Sequence, residues 1–467
     1  MAKLIPIYTW NKSVLKFNRR SDRLSKQPWF QGVLLLVCVV IAMLLANLPF
    51  TREAYHNILE TNLQLHISSP DGTDILFPRD MTVEKFINDI LMVIFFFTVG
   101  LEIKREITCG ELSTVKKAVM PVIAAFGGVI APALIYTLIN HGTAASTGWG
   151  IPTATDIAFA VCILSILGDK VPISLKVFLT ALAIADDLIA ILVVAIFYGG
   201  TINLPMLGVS FLVIFFTIIL RKIREKRMLP YILCAILVWA LFYYSGIHAT
   251  MSGVVMAFLI PSTPRYNKAQ YFRRRDYYIE QLARFEGIDE EPFPNGPQKH
   301  CLRRLESVTH GSMDMSYRVE NSLSPWVNHL ILPIFALANA GVVISDPSYF
   351  NIFSYDPALG SVSMGIFLGL VLGKPIGITL FSYLAIKFKI GAMPDKASWL
   401  MLFAVACLGG IGFTMSIFVD TLSFGDQSVE VMNHMRDAGK IAVLLGSIAA
   451  GALGTVLVNL FDKLQKK

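Results

Sequence analysis

Asp186 and Asp187 stand side by side near the middle of an apolar run, Leu175 to Phe197. A charge at that depth of a hydrocarbon layer costs several kcal/mol unless it is paired or functional. Two adjacent carboxylates in a low-dielectric medium cannot both ionise cheaply, so they titrate as one coupled unit. That is the property of a proton carrier. The same hard oxygens suit a monovalent cation, with backbone carbonyls freed at nearby helix breaks completing its shell. A cation and protons that compete for one site give an exchange chemistry. Lys374 lies at the midpoint of another apolar run, too deep for its amine to reach water along its own stem. It needs an acidic partner, and Asp186 and Asp187 are both candidates; a purely structural salt bridge is the alternative. Asp156, and Asp89 beside Asn88, are the other acids inside apolar stretches singled out here.

These residues require elements that cross a membrane. The 467 residues are 55% hydrophobic and 16% charged, outside the range of soluble domains. Mean hydropathy is +0.61, and the apolar runs recur at lengths that span a core of about 30 Å as helices. Soluble enzymes, disordered chains and disulfide scaffolds are excluded. Twelve spans are predicted: Trp29 to Phe50, Val83 to Leu101, Val119 to Ile139, Trp149 to Leu167, Leu175 to Phe197, Leu204 to Leu220, Leu229 to Tyr244, Ile247 to Ile260, Trp326 to Val343, Ser361 to Ile386, Trp399 to Val419 and Ile441 to Leu460. The expected class is therefore an all-α membrane protein. Its expected parts are a leader over 1–28, spans one to eight over 29–260, a charged loop over 261–325, spans nine to twelve over 326–461 and a tail over 462–467.

Of the 40 Lys and Arg residues, 34 fall on one side of this arrangement, and Arg52, Arg79, Lys85, Arg436 and Lys440 fall on the other. The positive-inside rule places the basic side and both termini in the cytoplasm. The net charge of +7 is thus a topology signal and not a nucleic-acid footprint. The leader lacks a small-residue cleavage site after its apolar run, so it reads as preceding a retained helix. Leu63, Leu65 and Ile67 alternate with polar residues before Asp71-Gly72 and Ile75-Leu76-Phe77, a hairpin signal within 51–80. A lone hairpin is marginal in water, so pairing with a second copy in a homodimer is expected, with a plain surface loop as the alternative.

A shift of 254 residues aligns Ile157 to Leu164 with Ile411 to Phe418, and places Pro121 on Pro375. Spans three to five then repeat as spans ten to twelve, and an odd number of crossings between them inverts the second copy. Such inverted-topology repeats characterise secondary transporters. Spans four and eleven are each broken, at Pro152-Thr153-Ala154-Thr155-Asp156 and at Leu408-Gly409-Gly410-Ile411-Gly412. Irregular backbone at that depth is tolerated where it lines protein or a water cavity. The half-helix ends carry opposite partial charges, which Asp156 and Lys374 are placed to offset.

Glu102, Lys104, Arg105 and Glu106 cluster at the end of span two, and Glu320 precedes span nine on the same side. They form either a solvated helix end or a pH-responsive network at a funnel mouth. His248 is a further candidate for a pH response. Cys38, Cys109, Cys162, Cys234, Cys301 and Cys407 lie far apart with no metal or redox spacing, and no cofactor is expected.

Gly100-Leu101-Glu102-Ile103-Lys104-Arg105-Glu106, Thr155-Asp156-Ile157-Ala158-Phe159-Ala160, Ala183-Ile184-Ala185-Asp186-Asp187-Leu188, Gly373-Lys374-Pro375-Ile376-Gly377 and Gly409-Gly410-Ile411-Gly412-Phe413-Thr414-Met415-Ser416 resemble, in order, the bacterial NhaA-type sodium/proton antiporters. The resemblance implies twelve helices with crossed broken helices, in the bacterial inner membrane, exchanging cytoplasmic Na+ or Li+ for external H+. It implies Asp187 as principal cation ligand, Asp186 as a second proton carrier or partner of Lys374, and Asp156 and Thr155 as the residues that compensate helix ends. It also implies Glu102, Arg105, Glu106 and Glu320 as a pH-response region, and the hairpin as a dimer contact. More than one proton per sodium ion would make the exchange electrogenic. Asn321, where the best-known members have a histidine, and the long loop before span nine depart from that pattern.

An intramembrane aspartyl protease would also use two acids, here Asp156 and Asp187, but no Gly-x-Gly-Asp sequence accompanies either and Lys374 would be left without a role. An organic-anion symporter would not need the adjacent acids. A passive channel needs weak or multiple sites rather than a buried titrating one.

Overall fold

The computed structural model describes residues 27–63, 65–68, 74–77, 81–200, 202–223, 225, 227–284, 296–344, 351–357, 359–395, 397–425 and 430–465. Most of the leader, the Asp71-Gly72 turn and the last two residues of the tail lie outside them. Among the described residues, eight helices are long and apolar enough to cross a membrane: α1 (Pro28–Asn47), α3 (Val83–Cys109), α4 (Val115–Ile139), α6 (Ile173–Phe197), α7 (Leu204–Lys222), α8 (Met228–Ser245), α13 (Val362–Lys387) and α16 (Glu430–Gln465). Two bent pairs raise the number to ten. In one, a 3-10 stretch (Ala144–Thr153) meets α5 (Ile157–Leu167) at 42°, and in the other α14 (Trp399–Gly409) meets α15 (Phe413–Ser423) at 49°.

The remaining two expected spans look different. α9 (Thr250–Leu259) has ten residues, a rise of about 15 Å against a core of about 30 Å. The region of span nine is a helix over 315–339 that begins as the polar segment α12 (Met315–Trp326).

The solvent these helices need is legible in their burial. In α7 only 11% of the most apolar stretch is buried inside the protein, against 67% in α6. Phe211, Leu212, Phe215 and Phe216 are exposed on α7. Such a helix is stable only in hydrocarbon; the chain is a multi-pass, helical membrane protein.

The segment expected as a hairpin over 51–80 is only partly that. α2 (Arg52–Glu60) occupies its first third, anchored where Tyr55 Oη donates to Leu337 O at 2.6 Å. The antiparallel strands β1 (Leu65–Ser68) and β2 (Asp74–Phe77) follow, pairing Leu65 with Phe77 and Ser68 with Asp74. The long loop is also more structured than a solvated linker. It holds α10 (Lys268–Ala283), opened by a reciprocal Asn267/Gln270 cap, and α11 (Gly296–Ser312). Arg265 N and Tyr266 N both donate to Gly311 O, tying its two ends together.

α4 and α13 pack along the middle of the molecule, and their backbones touch. A Cβ on Gly377 would overlap Gly127 O, and one on Gly127 would overlap Gly377 O. Small residues permit such close approach where the surrounding lipid offers no hydrophobic drive to associate. Three helices contain a π-turn, at Ile87–Leu91, Val327–Ile331 and Gly369–Gly373. Each shifts the face that the following residues present, and the third ends immediately before Lys374. Gly377→Val is expected to destabilise the fold by about 1–3 kcal/mol, seen as a lower thermal midpoint of the detergent-solubilised protein. Gly208→Val on α7, with no atom close to the added side chain, is the control expected to leave the midpoint unchanged.

Candidate functional site

The two bent pairs cross at their breaks. Asp156 N donates to Ile411 O at 2.7 Å, and Thr155 Oγ1 donates to Gly409 O at 2.9 Å. Gly409 is the counterpart of Thr155 under the 254-residue shift. Four half-helix ends thus meet at one place: the N-termini of α5 and α15 and the C-termini of the Ala144–Thr153 stretch and α14.

Asp156 serves both N-termini. One carboxylate oxygen accepts from Phe159 N at 3.3 Å, capping α5, and the other accepts from Thr414 N at 3.0 Å and from the Thr414 hydroxyl, capping α15. A single anion therefore satisfies orphan donors of two helices and faces the positive ends of both dipoles. Asp156 is the residue the sequence places to offset the half-helix N-termini; the role of Thr414 is not legible there, although Thr414 sits in the motif that follows the second break.

Lys374 meets the opposite ends. Its amine pairs with Asp186 Oδ2 at 2.5 Å and donates to Thr155 Oγ1. The Thr155 hydroxyl in turn lies 2.5 Å from Asp186 Oδ2 and within reach of Gly409 O, the end of α14. One hydroxyl proton can serve only one of those acceptors at a time, so Thr155 couples the charge pair to a helix terminus. Lys374 and Asp186 are both fully buried. The partner of Lys374 is Asp186, which the sequence left open between the two aspartates.

Asp187 has neither bond. It is 2% exposed, and its Oδ1 has no hydrogen-bond partner. It lines a cleft of about 440 Å³ together with Asp156, Thr414, Glu102, Arg105 and Glu320. Four of the carbonyls at the breaks, expected to face an ion, are engaged by protein: Gly150 O by Thr153, Ile151 O by Ser416, Gly409 O by Thr155 and Ile411 O by Asp156. Among the described residues no three His, Cys, Asp or Glu side chains group as a metal cage. Four carboxyl-bearing residues line the cleft, Asp187 and Asp156 on the crossing side and Glu102 and Glu320 beside Arg105.

At the cleft mouth Arg105 pairs with Glu320, with Glu106 at 3.3 Å and with Glu102 at 3.7 Å. Glu106 also accepts from Glu111 N at 3.0 Å. Burial pushes the Glu320 carboxyl up from its usual range, with Arg105 acting against that shift. Lys104, read from the sequence as part of this cluster, points away from it. Its amine donates to Ala257 O, Phe258 O and Ile260 O, and so closes the C-terminus of the short helix α9. Two other candidates also stand apart. Asp89 sits in the first π-turn, where its carbonyl accepts from Trp239 Nε1 at 3.3 Å, and does not line the cleft. His248 lies between α8 and α9, near Tyr198 at the far end of α6, and is likewise absent from the cleft wall.

The family model described as Na+/H+ antiporter 1 matches residues 22–458. The chain belongs to that family. Among its relatives is a Wolinella succinogenes protein named Na(+)/H(+) antiporter NhaA, 39% identical over 438 residues, which are 94% of this chain and 92% of that one. A Sulfurimonas denitrificans protein of the same name is 38% identical over 454 residues, covering 97% of this chain and 98% of its own length. A Helicobacter pylori relative, also named Na(+)/H(+) antiporter NhaA, is 38% identical with 94% of each chain covered. The family match extends across the crossing, the cleft and the mouth.

One residue pair tests the central geometry without reference to transport. Removing one member of a buried ion pair strands the other at a cost of about 3–5 kcal/mol. Lys374→Gln alone is therefore expected to lower the thermal midpoint sharply. Adding Asp186→Asn to it is expected to restore most of the loss, a non-additive cycle read by scanning fluorimetry.

Proposed function

We propose that this protein exports cytoplasmic Na+ or Li+ in exchange for external H+, by alternating access around the crossing. The observation that carries the reading is the division of labour between adjacent acids: Asp186 is tied to Lys374, while Asp187 is buried at the inner end of a cleft with an unpartnered oxygen. Asp187 is the principal cation ligand and Asp156 the second carboxylate facing the same space. Asp186 releases and regains its proton against Lys374 and Thr155. The two acids give up as many as two protons per cation bound, so exchange is electrogenic and is driven by membrane potential as well as by the proton gradient. The ions are cargo, and no cofactor is required.

The architecture belonging to this reading has twelve spans, with α9 and the helix from Trp326 onward supplying the eighth and ninth, and an inverted repeat relating spans three to five to spans ten to twelve. Both termini and the cleft mouth face the cytoplasm, and the membrane is the bacterial inner membrane. The β1–β2 hairpin is external and joins two copies into a homodimer. Glu102, Arg105, Glu106 and Glu320 make exchange responsive to pH, and His248, away from the cleft, is a separate candidate for that response.

The decisive experiment follows proton release from acid-loaded everted vesicles on addition of Na+, Li+ or K+, for the wild type and Asp187→Asn. Na+ and Li+, but not K+, should collapse the gradient in the wild type, and the variant should be silent; a well-folded wild type that moves no protons with any cation overturns the exchange reading. The raised Glu320 carboxyl gives a second expectation. Its proton persists to higher pH than that of a free glutamate, and ionisation on raising the pH creates the full charge pair with Arg105. Glu320→Gln fixes the neutral form, so the rise of activity with pH should move to the alkaline side or flatten when the same assay is run from about pH 6 to about pH 9.

A further inference from the structure

A second buried charge cluster lies on α15 and α16, beyond the crossing and on the opposite side from the cleft mouth. Asp420 is fully buried, two turns past the break, and neither of its carboxylate oxygens has a hydrogen-bond partner. At 1.5 Å per residue it stands about 12 Å from Gly412 along α15. Ser416 lies between them on the same face, its hydroxyl donating to Ile151 O at 2.8 Å. The carboxyl packs directly on α16, where a Cβ on Gly439 would overlap Oδ1.

The charged groups around Asp420 are Arg436, Asp437 and Lys440 on α16, with Tyr136 of α4 and Tyr198 at the end of α6 also within electrostatic reach. Glu84, His56 and His434 face the outer members of the cluster. Lys440 is 4% exposed, and Arg436 Nε and Nη1 have no hydrogen-bond partner. One turn of α16 away, Met435 and Ala438 wall a cavity of about 440 Å³ against the 351–363 segment. A pair built only for stability would be closed by direct hydrogen bonds. Here opposite charges face one another across a gap, beside a cavity on their own side of the protein.

We propose that Asp420 is a proton-carrying station on the side opposite the cleft, loaded from that side's solution and unloaded inward past Ser416 toward the crossing. Lys440 and Arg436 hold its counter-charge. The proton arrives on the carboxylate, neutralises it, and leaves toward Asp156 and Asp187 when the cation has departed. This rests on the exchange reading above, under which that side is external.

The test uses full-length protein in vesicles of both orientations, with pH varied on the Asp420 side and held fixed on the cleft side. Asp420→Asn should lose the dependence of exchange on Asp420-side pH and fall at least about tenfold in rate at alkaline pH on that side. The Na+ half-saturation on the cleft side should stay within about twofold of the wild type, and Asp420→Glu should recover the pH profile. A wild-type profile in Asp420→Asn, or equal defects in the Asn and Glu variants, overturns the proposal in favour of plain charge compensation. Should Asp420→Asn fail to fold, Lys440→Met removes a neighbouring cation and should shift the same-side midpoint to alkaline pH; an unmoved midpoint overturns it equally. Absence of exchange in the wild type itself would instead sink the parent reading.

Discussion

Four half-helix ends meet inside this protein, and everything near them is arranged to meet their partial charges. Helix termini leave donors and acceptors without partners, and where they are buried the protein itself must supply partners. Asp156 answers two N-termini at once. Lys374 reaches a C-terminus through the Thr155 hydroxyl, while Asp186 neutralises its charge. With those assignments filled, Asp187 is the acid left over. Structural needs consume the other charged groups at the crossing and leave the Asp187 carboxylate available to the cleft.

That arrangement makes the crossing sensitive to the charge on Asp186. The hydroxyl of Thr155 has two acceptors and one proton, so a change of charge on Asp186 redistributes bonding at the end of α14. Half-helices joined by short extended links can respond by rigid movements at low cost, whereas the long α4 and α13, locked backbone to backbone at Gly127 and Gly377, cannot. The breaks and the close-packed pair are complementary: one supplies motion, the other a fixed frame to move against.

Much of this was legible in the sequence, for reasons that differ by residue. Charges inside apolar runs announce themselves because the surrounding composition makes them costly, so Asp156, Asp186, Asp187 and Lys374 stood out at once. Pro152 and the Gly409-Gly410 pair marked the breaks by their backbone chemistry. Other features depend on geometry that spacing does not carry. Lys104 was grouped with its neighbours in sequence, but residues two apart on a helix face different directions, and α9 takes it. The π-turns rotate Lys374 and Asn88 by an amount no periodicity reveals. Asp420 carried the same signal as the other buried acids, yet it lies near the end of its span, where an acid reads as a helix terminus facing water.

The inverted repeat proposed above invites the view that its two halves do the same work, but the crossing argues against equivalence. The first break presents Thr155-Asp156, and the aligned positions of the second are Gly409-Gly410. One break thus contributes side chains that bond and titrate, and the other contributes backbone and the room to receive them. The position aligned with Lys374 is Met120, which is buried and uncharged. A symmetric set of charges would place a second lysine and a second capping acid at the same point, adding desolvation cost without adding a helix end to satisfy. The two breaks thus match in backbone, where their ends meet, and differ in side chains, where one charged pair, Lys374 and Asp186, and one capping acid, Asp156, serve both.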